Sequence, residues 1–248
     1  MIKTLHKYAS PMHFHALARA WSTPLLWLAA ALFVTGLVGG LVLAPADYQQ
    51  GESFRIIYVH VPSAWLSMFA YLVMAGAGAT SLIWRVKLMD ALARAAAPLG
   101  ASFTALALAT GSLWGKPMWG TWWVWDARLT SELLLLFLYL GYMALQSAID
   151  DRRAAARAGA VLAVVGVVNI PIIHYSVEWW STLHQPATIT RLGAPAMATS
   201  MLIPLLLMAL AFQLLFFALL FIRVRSELLE FEQRASWVRE LVRRADSR

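Results

Sequence analysis

The chain has 248 residues, of which 60% are hydrophobic and 13% are charged, and its mean hydropathy is +0.65. A soluble domain of this composition would expose large apolar patches to water, so a water-soluble protein is excluded. The chain has no cysteine, which excludes disulfides, thiolate metal ligands and thiol redox chemistry. The net charge of +7 requires no nucleic-acid partner, because most basic residues flank apolar stretches and would meet anionic lipid headgroups.

Six apolar stretches are each long enough to cross about 30 Å of hydrocarbon at a rise of about 1.5 Å per residue. None shows the alternating pattern of a transmembrane β-strand. We therefore expect an all-α integral membrane protein with six transmembrane helices. The predicted spans cover residues 24–43, 64–84, 95–114, 130–149, 158–175 and 196–222.

The basic residues are divided unequally between the two ends of these spans. With six spans both termini lie on one side, which receives all but four of the 20 Lys and Arg residues. Basic residues concentrate on the cytoplasmic side of membrane proteins, so we expect both termini in the cytoplasm. The four basic residues on the outer side are Arg55, Lys116, Arg128 and Arg191.

Both ends of the chain carry polar segments. The segment before Ser22 lacks a small-residue cleavage site, so we expect no cleaved signal peptide. Residues 226–248 have the pattern of an amphipathic helix, which we expect along the inner membrane surface or against a partner. The sequence therefore predicts a transmembrane domain at residues 1–225 and a cytoplasmic tail at residues 226–248.

The chain carries none of the common motifs for ATP hydrolysis or hydrolytic catalysis. A phosphate-binding P-loop, a zinc-protease HExxH motif and a nucleophile elbow are all absent from the sequence. We therefore expect that the chain is not an enzyme and that any energy input comes from another subunit.

A dense cluster of tryptophans lies between the third and fourth predicted spans. The run KPMWGTWWVWD at residues 116–126 holds four tryptophans and follows a fifth. Tryptophan is an ordinary membrane-interface anchor, but this density exceeds what anchoring requires. Indole rings would also stack on a flat aromatic ligand such as a porphyrin. We expect an external loop that forms such a platform from Trp114, Trp119, Trp122, Trp123 and Trp125.

Three of the six histidines fall on the predicted outer side, namely His60, His174 and His184. Two histidines from distant parts of a chain suit axial ligation of a haem iron, one from each face of the ring. A zinc site would require four ligands and, without cysteine, nearby carboxylates. The alternative is one histidine at the membrane interface and another hydrogen-bonded in the core. Spacing alone leaves both interpretations open.

Charged residues near these side chains also have two interpretations. A haem carries two propionates, and the planar guanidinium of Arg55 or Arg128 suits a carboxylate. Arg128 also lies four residues before Glu132, where the two side chains would pair along one helix face. Asp126 ends the tryptophan run at a helix start, where an N-cap is the default role of aspartate.

Three segments resemble the haem-handling membrane proteins of cytochrome c maturation, which share a tryptophan-rich WGxxWxWD signature. The likeness is strongest to the six-span CcmC members and extends from about residue 44 to residue 186, without departure from the pattern. The larger members have more spans than this chain can supply. In order, the segments are RIIYVHVPSAW at 55–65, WGTWWVWDARLTSE at 119–132 and NIPIIHYSVEWWSTLHQP at 169–186.

The resemblance implies a function and a set of partners. CcmC-like proteins hold haem b at the outer face of the bacterial inner membrane and present it to the haem chaperone CcmE. They work beside the ATP-binding subunit CcmA, the membrane subunit CcmB and the small membrane protein CcmD. By this resemblance His60 and His184 are the axial ligands of the haem iron. The tryptophan run with Asp126 forms the platform, and His174 has no counterpart.

The alternative functions are those of a permease, a cytochrome b-type redox protein and a structural scaffold. A permease would need polar residues deep within several spans, and few are present, such as Glu132 and Asn169. A cytochrome b-type redox protein places histidine pairs inside its spans, whereas His60 and His184 lie in or beside predicted loops. A purely structural scaffold for the ABC subunits would leave the tryptophan run without a role.

Overall fold

The structure is a computed structural model that describes residues 10–180, 182–184 and 197–246. Within these residues the chain is almost entirely helical and contains no strand. Six helical segments are long and apolar enough to cross a membrane. The predicted all-α fold with six transmembrane helices is confirmed, and the chain is a multi-pass membrane protein.

The described residues form eight α-helices, of which α5 and α6 together make the fifth span and α8 lies outside the spans. A π-helical stretch, Val38–Leu43, extends α1, and a 3-10 helix, Glu52–Ile56, leads into α2. The helices are α1 (Pro11–Leu37), α2 (Ile57–Trp84), α3 (Lys87–Trp119), α4 (Ala127–Ala148), α5 (Arg152–Gly166), α6 (Asn169–Trp179), α7 (Thr199–Phe231) and α8 (Ser236–Asp246).

The helices extend beyond the apolar stretches that predicted them. α1 begins at Pro11 and α2 at Ile57, whereas the predicted spans begin at 24 and 64. At the other end α7 continues to Phe231, past the predicted start of the tail at 226.

The fifth span is two helices rather than the single predicted one. Pro171 has no N–H to donate to the carbonyl of Val167, four residues earlier. That carbonyl accepts instead from the N–H of Ile170 at 2.9 Å, in a tighter turn. Beside the break, the Asn169 side chain is tied to α4, since its Nδ2 donates to the carbonyl of Ser131 at 2.9 Å. The start of α6 is therefore held against α4.

Small residues allow the helices to pack closely. The most extensive contacts join α1 to α7 and α2 to α3. Gly36 of α1 approaches Met208 of α7 so closely that an added Cβ would lie 2.8 Å from the sulfur. In the centre, Gly100 leaves room for the ring of Tyr139, whose hydroxyl donates to the carbonyl of Ser67 at 2.7 Å. These contacts hold α2, α3 and α4 in fixed relative positions beneath the candidate site.

The topology gathers the candidate site residues at one end of the bundle, called here the site end. The connection at 44–56, the connection at 120–126 and the stretch at 182–184 all lie there, because each span reverses the chain direction. The opposite end, called the terminal end, carries the start of α1 and all of α8. His15 and Trp237 meet there with ring centroids 5.5 Å apart.

Candidate functional site

His60 lies in the first turn of α2 and faces α3. Its Nδ1 is 3.1 Å from Oγ1 of Thr110, and the Thr110 hydroxyl donates to the carbonyl of Leu106 at 2.6 Å. The hydroxyl has one proton, so it accepts from His60, and His60 carries its own proton on Nδ1. The lone pair on Nε2 of His60 is therefore available to a metal.

The surroundings of His60 correct its predicted position beside a loop. The connection predicted as a loop from 44 to 65 is helical from Glu52 onward, because the 3-10 helix runs directly into α2. Gly111 of α3 leaves room for the imidazole, since an added Cβ would lie 3.0 Å from Cε1 of His60. Two helices, rather than a loop, set the orientation of this ring.

Trp114 fixes the first connection against α3. Its Nε1 donates to Oε1 of Gln50 at 2.9 Å. Its ring lies edge-on to Phe54 and to His60, with centroids 6.4 Å and 5.6 Å away. Trp114 is thus half-buried beside a histidine rather than displayed on the surface.

His184 lies outside any helix, in the short described stretch after α6. Its Nδ1 is 3.4 Å from Oδ2 of Asp126. A carboxylate only accepts, so the Nδ1–H of His184 donates in this long hydrogen bond, and Nε2 is left available. The ring of Trp119 packs edge-on against the imidazole, with centroids 4.9 Å apart. The rest of the predicted third external loop, including Arg191, lies outside the described residues.

Asp126 joins the start of α4 to His184. Its Oδ1 accepts from the backbone N–H of Leu129 at 2.8 Å, which confirms the predicted N-cap. The side chain is 5% exposed. Burial acts to raise the pKa of Asp126, but hydrogen bonds from His184 and from the Leu129 backbone outweigh it, so the pKa lies below the ordinary 3.8. The residue is therefore a carboxylate at neutral pH and strengthens the His184 nitrogen as a donor to a metal.

The two imidazoles meet at the site end from opposite halves of the chain. His184 lies near enough to interact electrostatically with His60, and so does Arg128. Each imidazole is held through Nδ1 by a different neighbour, Thr110 or Asp126. In both imidazoles, Nε2 is therefore the ring nitrogen that these neighbours leave free.

The tryptophan run is part helix and part loop, which corrects the predicted loop from residue 116. α3 continues through Pro117 to Trp119 and ends at Gly120, whose φ of 75° is the left-handed conformation that favours glycine. Lys116 closes this helix end. Its carbonyl accepts from the N–H of Gly120 at 3.1 Å, and its Nζ donates to the carbonyl of Gly120 at 3.0 Å.

The tryptophans of the run differ in exposure. Trp122 and Trp125 are 54% and 75% exposed. Trp123 is half-buried and lies edge-on to Trp125 with centroids 5.4 Å apart. Its Nε1 is buried and has no hydrogen-bond partner within the described residues. The run therefore combines exposed indoles with Trp119, which packs against His184.

The two candidate arginines differ in how fully they are engaged. Arg55 forms an ion pair with Glu52 and donates from Nη1 to the carbonyl of Gly40 at 2.6 Å. Arg128 is attracted to the carboxylates of Asp126 and Glu132. In the described part of the chain, no side-chain hydrogen bond or direct ion pair forms between Arg128 and either of them. Arg128 therefore keeps its guanidinium donors for another anion.

His174 lies on an exposed face of α6, apart from the two site histidines. Its ring contacts Tyr175 at 4.7 Å between centroids. Tyr175 stacks on Trp179, which in turn lies edge-on to Trp180. Trp179 and Trp180 therefore form an aromatic cluster with Tyr175.

Sequence reasoning missed Thr110 and Gly111, which hold His60. They lie within an apolar span, fifty positions from the histidine that they contact, so no local pattern marks them. A Thr–Gly pair in the middle of a membrane helix is the only signal, because it breaks a run of larger apolar residues.

The sequence matches a known family over nearly its full length. The family model described as "CcmC: Heme exporter protein C" matches residues 4–239. A relative named Heme exporter protein C from Haemophilus influenzae is 50% identical over 241 residues, 97% of this chain and 98% of the relative. The relative of that name from Escherichia coli K12 is 52% identical over 244 residues, 98% of each chain.

A third relative of the same name, from Bradyrhizobium diazoefficiens, is 55% identical over 203 residues, covering 81% of this chain and 76% of the relative. Matches of this extent include the segments that carry both site histidines and the tryptophan run. The chain therefore belongs to the CcmC (heme exporter protein C) family of cytochrome c maturation.

Proposed function

We propose that this protein binds haem b at the outer face of the bacterial inner membrane and delivers it to the haem chaperone CcmE for the biogenesis of c-type cytochromes. It acts as a delivery component rather than an enzyme, in an ABC-type complex with the ATP-binding subunit CcmA, the membrane subunit CcmB and the small protein CcmD. The observation that carries the proposal is the pair of histidines that share one end of the bundle with Nε2 free on each.

His60 and His184 are the proposed axial ligands. Haem is the cargo, and its iron accepts one imidazole nitrogen on each face. A ligand histidine in a metalloprotein is normally oriented by a hydrogen bond at its other nitrogen, and such bonds also raise its basicity. Thr110 serves His60 in this way, and the Asp126 carboxylate serves His184.

The remaining site residues fit the two other chemical features of haem. The apolar ring face suits the indoles of the platform, with Trp119 already packed on His184. A propionate suits the free guanidinium donors of Arg128, whereas Arg55 is occupied by Glu52 and the carbonyl of Gly40. Haem b, which is held without thioether bonds, fits a chain that has no cysteine.

The outer location follows from the unequal distribution of charge. Of the basic residues that the structure describes, only Arg55, Lys116 and Arg128 lie at the site end. The positive-inside rule then places the site end outside the cytoplasm. Haem held there is within reach of a chaperone on the outer side of the membrane.

The proposal is tested by the haem content and absorption spectrum of purified single variants. His60→Ala and His184→Ala should each lose haem and the six-coordinate, low-spin spectrum, because each removes one axial nitrogen. His174→Ala is the matched control and should change neither. Unchanged spectra in both site variants would show that the iron is held elsewhere.

Addition of the chaperone CcmE separates delivery from permanent redox function. A delivery protein should lose its haem to CcmE, with the decrease on one partner matching the increase on the other. A cytochrome b-type redox protein would retain its haem under the same conditions. Retention of all haem with active CcmE present would contradict the delivery role.

A further inference from the structure

A cluster of basic side chains lies at the terminal end, between α1 and α7, and plays no part in the haem site. Arg19 of α1 and Arg225 of α7 lie close enough to interact electrostatically. Both also act on the ring of His15, which is 6% exposed and is packed against Trp237 of α8. The two guanidinium groups repel each other, and the half-buried Arg225 in particular needs a counter-charge, whereas Arg19 is exposed beside it.

The described part of the chain supplies no such counter-charge. No carboxylate there pairs with Arg19 or Arg225, and Nε of Arg225 is buried without a hydrogen-bond partner. Four glutamates at this end are paired with other cations. These pairs are Glu227 with Arg94, Glu230 with Arg152, Glu232 with Lys87, and Glu240 with Arg243 and Arg244. An anion from outside the chain would satisfy the buried N–H.

An apolar groove of about 430 Å³ begins one helical turn from Arg19, on the surface that faces lipid. Thr23, Ala30 and Phe33 of α1 line it together with Leu215 of α7. At about 1.5 Å per residue, Thr23 lies about 6 Å along the helix from Arg19, and the groove extends about 15 Å further, to Phe33. The basic cluster and the apolar groove are thus neighbours along the packed pair of α1 and α7.

We propose that the Arg19–Arg225 cluster and this groove together bind one anionic phospholipid. The phosphate lies between the two guanidinium groups and accepts the unpaired N–H of Arg225, and an acyl chain lies along the groove. Charge complementarity decides between the possible occupants. A free phosphate leaves the apolar groove empty, and an apolar helix of a partner brings no anion to its end. A phospholipid supplies both groups at the spacing that the site presents.

Native mass spectrometry of the full-length protein in detergent, with phosphatidylglycerol or phosphatidylcholine added, tests the headgroup. The wild type should retain phosphatidylglycerol in preference. Arg19→Gln and Arg225→Gln should each lower that retention about fivefold, the effect of one basic residue near anionic lipid. Arg223→Gln is the matched control, because Arg223 is exposed on the same helix two residues away. An equal loss of phosphatidylglycerol in Arg223→Gln would show only a general attraction between basic residues and anionic lipid, and it would overturn the proposal.

Ala30→Trp tests the groove with the basic cluster left intact. The indole fills the channel, so retention of phosphatidylglycerol should fall as it does in the arginine variants. This variant also decides the matter if Arg225→Gln does not fold. Thermal unfolding then separates lipid from free phosphate, since phosphatidylglycerol should raise the melting temperature and inorganic phosphate should not. Stabilisation by inorganic phosphate, or unchanged lipid retention in Ala30→Trp, would refute a phospholipid site.

Discussion

Asp126 connects three parts of the molecule through its two carboxylate oxygens. One oxygen caps α4 at the N–H of Leu129, and the other accepts from His184. The residue also ends the tryptophan run, so the cap, the ligand and the platform are positioned together. A single substitution can separate these roles because asparagine caps a helix about as well as aspartate.

Asp126→Asn should lower haem affinity by about 10- to 100-fold, the usual effect of losing a residue that hydrogen-bonds a metal ligand. The amount of protein in the membrane should not change, because the helix cap is kept. Asp126→Ala should lose haem and also destabilise the protein by about 1 kcal/mol. Haem titration and thermal unfolding measure the two effects, and equal haem affinity in wild type and Asp126→Asn would exclude a role on His184.

The lowered pKa of Asp126 predicts a pH dependence of stability. Folding favours the charged form, so its contribution is fully present above the ordinary value of 3.8 and is lost as pH falls through the lower folded-state pKa. The melting temperature of the wild type should therefore fall more steeply than that of Asp126→Asn between about pH 4 and about pH 2. Parallel curves for the two proteins would contradict this linkage.

Substitution of Arg128 should affect haem retention, and substitution of Arg55 should affect stability. Arg128→Gln removes free donors and should lower haem retention by about tenfold, as expected for a lost charge-assisted hydrogen bond. Arg55→Gln breaks the link to the carbonyl of Gly40 and should lower the melting temperature before it affects haem. Haem content and thermal unfolding of both variants test this, and a larger haem loss from Arg55→Gln would reverse the assignment.

The end of α3 decides where the exposed tryptophans lie. The helix carries Trp114 and Trp119 toward the two histidines and then reverses at Gly120, after which the chain displays Trp122 and Trp125. The left-handed conformation at Gly120 therefore divides the buried part of the cluster from the exposed part.

Gly120→Ala should destabilise the protein by about 1–2 kcal/mol, because an L-residue pays that penalty in the left-handed conformation. It should also lower haem content, since the loop that follows would shift. Gly76→Ala is a matched control in an open position of α2, where an added Cβ meets nothing within 4 Å. It should be neutral or stabilising by up to about 1 kcal/mol. Equal melting temperatures for Gly120→Ala and Gly76→Ala in thermal unfolding would contradict the role of Gly120.

The sequence predicts the helices well and their ends poorly, for physical reasons. Apolar length alone decides that a segment crosses the membrane, so all six spans are recognised. The ends depend on local geometry, such as the left-handed Gly120 and the continuation of helix through Pro117. The break between α5 and α6 arises at Pro171, and because proline is tolerated within many membrane helices, its presence alone does not predict a break.

The candidate site is likewise only partly predictable from the sequence. His60, His184 and the tryptophan run stand out because their chemistry is rare in apolar spans. Thr110 is recognised only in three dimensions, because the hydroxyl is ordinary until it lies 3.1 Å from an imidazole. The free state of Arg128 likewise depends on the position of Glu132, which sequence spacing suggests would pair with it.

The absence of cysteine makes the orientation of the whole molecule easy to measure. Tyr48 is 90% exposed at the site end, and Ser236 is exposed at the terminal end. A membrane-impermeant maleimide should label Tyr48→Cys in intact spheroplasts and should label Ser236→Cys only after permeabilisation. The opposite pattern would invert the topology and place the histidines in the cytoplasm.

The protein holds the two proposed ligands, His60 and His184, with different rigidity. His60 belongs to a long helix and is buttressed by a neighbouring one, whereas His184 lies outside any helix and is held by one long hydrogen bond and the edge of Trp119. Haem bound between them would therefore leave in two ordered steps. The bond from the iron to His184 would break first, while the iron stays bound to His60. The acceptor histidine of a chaperone then needs to compete for only one coordination position at a time.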